Sequence, residues 1–183
     1  MRIALVLGGG ACVWSDLEAA LDLGQFDGVV TCNDVTAAYP GRIDACASLH
    51  SSSWGGWLAE RERRGQPRPG VVFGHTGAKG ARLTDQVDRF VDYRFPGQDR
   101  SGSSGLFALK VALVDLGFDR AVLCGVPMTS GQKHFFDAHD WAGAQARRIG
   151  WQQALPHIVD RARSMSGFTR ELLGEPTEEW LGA

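Results

Sequence analysis

Short apolar runs recur along the chain, separated by polar or amphipathic stretches of helical length. These runs predict buried β-strands, because strands that are covered on both faces read as continuous hydrophobic segments. The predicted strands are Ile3–Leu7, Gly28–Cys32, Ile43–Leu49, Val71–Phe73, Phe90–Tyr93, Ala121–Cys124 and Ile158–Ser164. Strands that alternate with helices favour the α/β class, so we predict a single Rossmann-like, doubly wound, mostly parallel sheet.

The most apolar helix is predicted between Ser101 and Gly117. Apolar residues recur there at helical spacing, and between Leu106 and Leu116 only Lys110 and Asp115 are charged. Such a helix should be covered on most sides. Gly117 suits the left-handed position that commonly follows a helix end.

Capping residues and proline predict the other helix boundaries. The capping box Ser15–Glu18 should begin a helix that stops at Gly24. A helix from about Trp141 should end near Leu155, because Pro156 lacks a backbone N–H and cannot continue the ladder. Two short helices are predicted in the tail, Thr169–Leu173 and Glu178–Leu181.

Composition is that of an ordinary globular protein. The 183 residues are 44% hydrophobic and 22% charged, which predicts one domain over residues 1–183. The net charge of −2 gives no general attraction for nucleic acid or anionic membranes, so we expect neither as a partner. The oligomeric state stays open, with a homo-oligomer as one alternative.

Cysteine usage and the first apolar run bear on the compartment. The cysteines are far apart and have no zinc-type spacing: Cys12, Cys32, Cys46 and Cys124. We expect them to be reduced core residues. The run Ile3–Leu7 is too short for a signal sequence, and no run has the length of a membrane helix. These features predict a cytoplasmic protein without a membrane span.

A serine- and glycine-rich loop precedes the most apolar helix. It consists of Ser101, Gly102, Ser103, Ser104 and Gly105. Hydroxyl groups and free N–H groups at the positive end of a helix dipole favour an anion, and we predict a phosphate there. The alternative is a loop that only caps its helix.

A glycine turn follows the first predicted strand. Gly8, Gly9 and Gly10 stand where side chains would obstruct the approach of a ligand to the backbone. The dinucleotide fingerprint needs a third glycine, and Val13 occupies that position, so the signal for NAD is weak. A mononucleotide or a nucleotide-sugar fits no worse.

Polar residues follow other predicted strands at the same edge of the sheet. Asn33 and Asp34 are candidates to bind a base or a ribose hydroxyl, although an Asx turn would also explain them. His50 and His75 are candidate ligand contacts. His157 is interpreted as structural or surface-exposed. Four tryptophans are interpreted as core or interface residues more than as stacking platforms: Trp54, Trp57, Trp141 and Trp151.

The segment SSGLFALKVALVDLGFDRAVLCGVPM, with VLGGGACVWSDL and TCND, resembles the nucleotide-binding core of bacterial sialyltransferases. It also resembles Rossmann-like proteins described as Maf motility factors or as hydroxymethylpterin pyrophosphokinase-like. The resemblance is clear over residues 101–128 and fainter over residues 3–34. It implies that a cytidine nucleotide-sugar, such as a CMP-sugar, is the substrate. The matching positions are Gly8, Gly10, Asn33, Ser103, Ser104 and Gly105.

The same resemblance implies a histidine base, for which His139 and His134 are the two candidates. The family also uses two tyrosines on the departing phosphate. This chain has only Tyr39 and Tyr93, and Phe135 and Phe136 stand in the corresponding loop. No aspartate-rich metal motif is present, so no metal or cofactor is expected.

Two functions therefore remain. The preferred one is metal-independent, sialyltransferase-like glycosyl transfer from a nucleotide-sugar to an acceptor that the sequence does not identify. The alternative is a non-catalytic nucleotide-binding or interaction protein. The missing tyrosines favour the alternative, and His139 and His134 argue against it. SMSGFTRELLG and SLHSSSW also resemble small proteins encoded in phages and prophages, a likeness that assigns no chemistry.

Overall fold

A computed structural model describes residues 1–76, 85–136 and 143–182. Its strands are β1 Ile3–Leu7, β2 Gly28–Cys32, β3 Ala45–Ala47, β4 Val71–His75, β5 Arg89–Val91, β6 Arg120–Cys124 and β7 Ala162–Ser164. Its α-helices are α1 Val13–Leu23, α2 Val35–Ala38, α3 Trp54–Arg63, α4 Ser104–Lys110, α5 Ala144–Ile158, α6 Gly167–Leu173 and α7 Glu178–Leu181. A 3₁₀ turn covers Ser51–Ser53, and α4 continues as a π-helix over Val111–Asp115.

The seven strands form one sheet in the order β5-β4-β3-β2-β1-β6-β7, and every described pair is parallel. The chain moves outward from β1 through β2 to β5, and then returns to the other side of β1 for β6. This is the Rossmann-like doubly wound arrangement that the sequence predicts, with a switch point between β1 and β6.

The residues of β1 alternate between the two faces of the sheet. Ala4 and Val6 pack with α4 and α5, where Phe107 and Trp151 are fully buried. Ile3, Leu5 and Leu7 pack on the other face with Val13 and Ala20 of α1. Because successive side chains of a strand point to opposite faces, one apolar run supports both helix layers.

The predicted apolar helix is confirmed. All residues of α4 are buried, and Lys110 is neutralised by Asp115 at 2.9 Å. Gly117 has φ +69°, as expected after a helix end. The three cysteines within β2, β3 and β6 are buried in the core, whereas Cys12 is half-buried; all four are free.

Several predicted boundaries are wrong. The capping box does not form: α1 begins at Val13 without a side-chain cap, and Ser15 Oγ donates to the Cys12 carbonyl at 3.0 Å. Pro156 does not end α5, which continues to Ile158. Ile158 is fully buried, and its packing outweighs the loss of one helical hydrogen bond at proline. The predicted strand Ile158–Ser164 therefore shortens to β7.

Candidate functional site

A cavity of about 580 Å³ lies at the carboxyl edge of the sheet, across the switch point. Open α/β sheets bind their ligands at this position. The cavity brings together most of the predicted site residues: Gly8, Gly9, Gly10, Asn33, His50, His75, Ser101, Ser103, Ser104, Gly105 and His134. Asp34 and Gly102 lie outside its lining, and His139 lies outside the described residues.

Contacts within the chain surround the glycine turn after β1. Gly8 N–H donates to the Cys124 carbonyl and Gly10 N–H to the Gly125 carbonyl, both at 2.8 Å. A Cβ atom on Gly8 would lie 2.5 Å from a Val126 methyl group and 2.7 Å from the Gly125 oxygen. The missing side chain at Gly8 therefore allows the turns after β1 and β6 to pack together.

Asp16 joins these two turns from α1. Its buried carboxylate accepts a hydrogen bond from Gly125 N–H at 2.9 Å and another from Ser166 Oγ at 2.7 Å. The sequence assigned Asp16 to a capping box, because nothing in a local pattern shows that a carboxylate bonds 109 residues away. Asp16 thus holds the cavity wall that Gly125 and Val126 provide.

The segment around His134 covers the glycine turn. Ala11 N–H donates to the Lys133 carbonyl at 2.9 Å, and Phe135 N–H donates to the Gly9 carbonyl at 3.0 Å. The His134 ring lies directly over Gly9, where any Cβ atom would strike it. Gly9 therefore makes room for His134.

Asp34 lies behind His134. Asp34 Oδ2 is 3.8 Å from His134 Nδ1, and His134 Nδ1 and Asp34 Oδ1 are both buried without a hydrogen-bond partner among the described residues. Burial raises the pKa of the Asp34 carboxyl, and the nearby histidine opposes that shift. The arrangement leaves Nε2 as the ring nitrogen that does not face the carboxylate.

Aromatic rings continue the surface beside His134. Phe136 is 63% exposed, and its ring centre lies 4.5 Å from that of His134. Phe135 packs edge-on against Phe136 at 5.2 Å and against Trp14 at 5.7 Å. These rings offer no hydroxyl group to a ligand.

The serine loop before α4 is built differently from the glycine turn. Ser104 Oγ accepts a hydrogen bond from Leu49 N–H at 3.2 Å, so this hydroxyl is partly committed to the fold. Ser103 lines the cavity with φ +92° and ψ 171°, a region that is populated almost exclusively by glycine. The N–H groups before Phe107 have no acceptor within α4, and Ser103, Ser104 and Gly105 line the cavity at this helix end.

Backbone strain is concentrated at this cavity. Within the described ranges, the non-glycine residues with positive φ are Asn33 at +57°, Ser103 at +92° and Met128 at +50°. All three line the cavity. Asn33 Oδ1 accepts from Ser48 Oγ at 2.7 Å, which fixes the amide and assigns its NH₂ group to the other side.

His75 ends β4 and is buried, with Nε2 3.1 Å from the Leu49 carbonyl and Nδ1 without a partner among the described residues. His50 is exposed at the rim. His157 lies away from the cavity, where Nε2 bonds the Pro96 carbonyl at 2.9 Å, and this agrees with its structural interpretation. Trp54 and Trp151 are fully buried core residues, as expected.

Sequence reasoning missed three polar residues that line the cavity: Tyr93, Gln132 and Arg147. Tyr93 packs edge-on against His75 at 5.5 Å. Each comes from a different segment, and no spacing in the chain connects them. In the described parts of the chain, no carboxylate lines the cavity and no cluster of three metal-ligating side chains occurs.

The chain matches no protein-family model, no curated protein and no solved structure. Over the described residues, no helix is long and apolar enough to cross a membrane.

Proposed function

We propose that the chain binds a nucleotide, in the form of a nucleotide-sugar, in the cavity at the switch point. The observation that carries this proposal is the concentration of strain at Asn33, Ser103 and Met128, which all line the same cavity. A non-glycine residue in a sparsely populated backbone region costs about 1 to 3 kcal/mol, less for asparagine in the left-handed region, and such residues cluster at functional sites.

The polar groups of the cavity indicate where each part of such a ligand would bind. The first turn of α4 and the Ser103 hydroxyl suit the phosphate, because free N–H groups and the helix dipole favour an anion. The Asn33 amide, held by Ser48, suits a hydroxyl or base edge. The cavity of about 580 Å³ falls in the range of small-ligand sites.

His134 is the proposed base for glycosyl transfer. Asp34 behind Nδ1 would orient the ring, and Nε2 would take the proton from the acceptor hydroxyl. The acceptor oxygen then bonds to the sugar carbon as the bond from that carbon to the phosphate oxygen breaks, and the nucleotide leaves with the bonding electrons.

A thermal-shift panel of CMP, UDP, GDP, NAD and their sugar conjugates tests binding. At a ligand concentration one hundred times Kd, linkage stabilises the fold by about 2.7 kcal/mol. For a chain of this size that corresponds to a Tm increase of roughly 5 to 10 °C. If no compound in the panel changes Tm at millimolar concentration, the proposal is wrong.

Hydrolysis of the bound nucleotide-sugar tests catalysis without knowledge of the acceptor. We expect His134→Ala to lower the rate about a hundredfold, with donor affinity nearly unchanged. His157→Ala is the matched control, since that ring lies away from the cavity. His139→Ala covers the other predicted base, and loss confined to this variant would contradict the assignment of His134.

The alternative is a non-catalytic nucleotide-binding protein. It is favoured by Phe135 and Phe136, because these rings cannot stabilise a departing phosphate through a hydroxyl. A nucleotide-sugar that raises Tm but is not hydrolysed by the wild-type protein would support this alternative.

A further inference from the structure

Arg147 lines the cavity and has no hydrogen-bond acceptor or carboxylate partner among the described residues. Its neighbour Arg148 is used by the fold: Nε donates to the Met128 carbonyl at 2.9 Å, and the guanidinium lies 4.4 Å from the Phe168 ring centre. Two adjacent arginines on α5 therefore differ: Arg148 is bound to the fold, whereas Arg147 lines the cavity and has no partner within residues 1–76, 85–136 and 143–182.

The packing of α5 brings Arg147 beside the serine loop. A Cβ atom on Gly150 would lie 2.5 Å from the Gly102 nitrogen and 2.6 Å from the Arg100 carbonyl oxygen, so α5 touches this loop at Gly150. Residues three apart share one face of a helix. Arg147 therefore lies one turn before the contact point, on the side of α5 that meets the loop before α4.

The charge of the cavity lining determines which ligand charge is favoured. Among the described lining residues, Arg147 is the one side chain with a permanent charge, and none is Asp or Glu. A half-buried cation without a partner loses part of its hydration, and an anion replaces that hydration with charge-assisted hydrogen bonds. The lining thus favours an anionic ligand over a cationic or neutral one.

We propose that Arg147 recognises the phosphate of the ligand, together with the first turn of α4. The forked guanidinium donates two parallel hydrogen bonds to phosphate oxygens, a geometry that lysine cannot reproduce. The remaining oxygens accept from the N–H groups at the start of α4 and from Ser103 Oγ, which exchanges its weak hydrogen bond to Met128 Sδ for one to the phosphate. The inference rests on the proposed function for the nucleoside part of the ligand; the phosphate contact itself does not depend on it.

Titration calorimetry with three probes tests the assignment: cytidine 5′-monophosphate, cytidine and inorganic pyrophosphate. We expect Arg147→Ala to weaken binding of the monophosphate at least tenfold and to leave cytidine binding unchanged. Arg147→Lys should give an intermediate affinity, because it keeps the charge without the fork. Arg42→Ala is the control, since the Arg42 side chain is 86% exposed and pairs with Asp44 away from the cavity.

The outcomes separate this inference from the proposed function. Unchanged affinity of Arg147→Ala for the monophosphate would overturn the inference, as would an equal loss for cytidine, which indicates a structural role. If the wild-type protein binds pyrophosphate through Arg147 but no nucleotide in the panel, the inference holds and the proposed function fails. If neither anion binds, both are wrong.

Discussion

The sequence predicts a ligand contact at both glycine-containing loops of the cavity, but their structures differ. In the turn after β1, Gly8, Gly10 and Ala11 donate their N–H groups to carbonyls of the same chain, and His134 covers Gly9. In the loop before α4, Ser103 is strained, and the helix N-terminus faces the cavity.

The comparison shows that glycine after a first strand has two separate uses. It permits close approach of a ligand, and it also permits close approach of a neighbouring turn. Here Gly8 and Gly10 both meet the Gly125 carbonyl at distances that a side chain would not allow. For this reason we propose that a phosphate binds at the serine loop and Arg147, whereas the glycine turn serves the packing of the turns after β1 and β6.

The largest effect on stability is expected for Gly8→Ala. The new methyl group would meet the Gly125 backbone oxygen at 2.7 Å, and backbone cannot move aside as a side-chain end can. We expect a loss of about 2 to 3 kcal/mol in the free energy of unfolding, measured by urea denaturation.

Gly55→Ala is the matched control for this substitution. Gly55 lies within α3, and an added Cβ would meet nothing within 4 Å outside its own helical turn in the part of the chain that the structure describes. Replacing a helical glycine at an open position should stabilise the protein by about 0.5 to 1 kcal/mol. Equal stability of Gly8→Ala and wild type would show that the glycine turn has space for a ligand after all.

The sequence predicts most of the fold because the apolar runs are unambiguous. The run Ile3–Leu7 is buried along its whole length, and it pairs with the apolar runs of β2 and β6. The errors occur where tertiary contacts override a local signal. Pro156 remains inside α5 because Trp151, Ala154 and Ile158 are buried on one face of that helix.

The candidate site is predictable only where it follows a strand or precedes a helix. Asn33, Ser103 and His75 reach the cavity for that reason. Arg147 is not predictable in this way, because it lies within α5, which approaches the cavity through long-range packing. Tyr93 is missed because the sequence places it inside the predicted strand Phe90–Tyr93, whereas β5 ends at Val91 and Tyr93 follows it. The position of His134 over Gly9 is equally hidden, since it depends on a bridge between Gly10 and His134.

A smaller effect of opposite sign is expected at the serine loop. Ser103→Gly relieves the strain at φ +92° and should stabilise the protein by about 1 kcal/mol, while the lost hydroxyl weakens nucleotide binding about fivefold. Ser53→Gly is the control, because Ser53 has an ordinary φ of −88° and should gain nothing. If Ser103→Gly is less stable than wild type, the backbone of Ser103 is not strained, and its positive φ no longer supports a ligand site.

The smallest effect is a pH dependence at Asp34, which lies behind the histidine that covers the glycine turn. Burial raises the pKa of this carboxyl in the folded state, so the folded protein holds the proton more tightly than the unfolded chain. That stabilising contribution is present at low pH and is lost as the pH rises through the raised pKa. Asp34→Asn carries no charge, so its Tm should exceed that of wild type at pH 7, and the difference should shrink towards pH 4.

Asp92→Asn is the control and should change Tm in the opposite direction. The hydrogen bond from Arg94 lowers the pKa of Asp92, so this variant should have a lower Tm than wild type at pH 7. Thermal unfolding of the three proteins between pH 4 and pH 8 measures both trends, and a difference for Asp34→Asn that is constant with pH would show that the buried carboxylate is not destabilised in the folded protein.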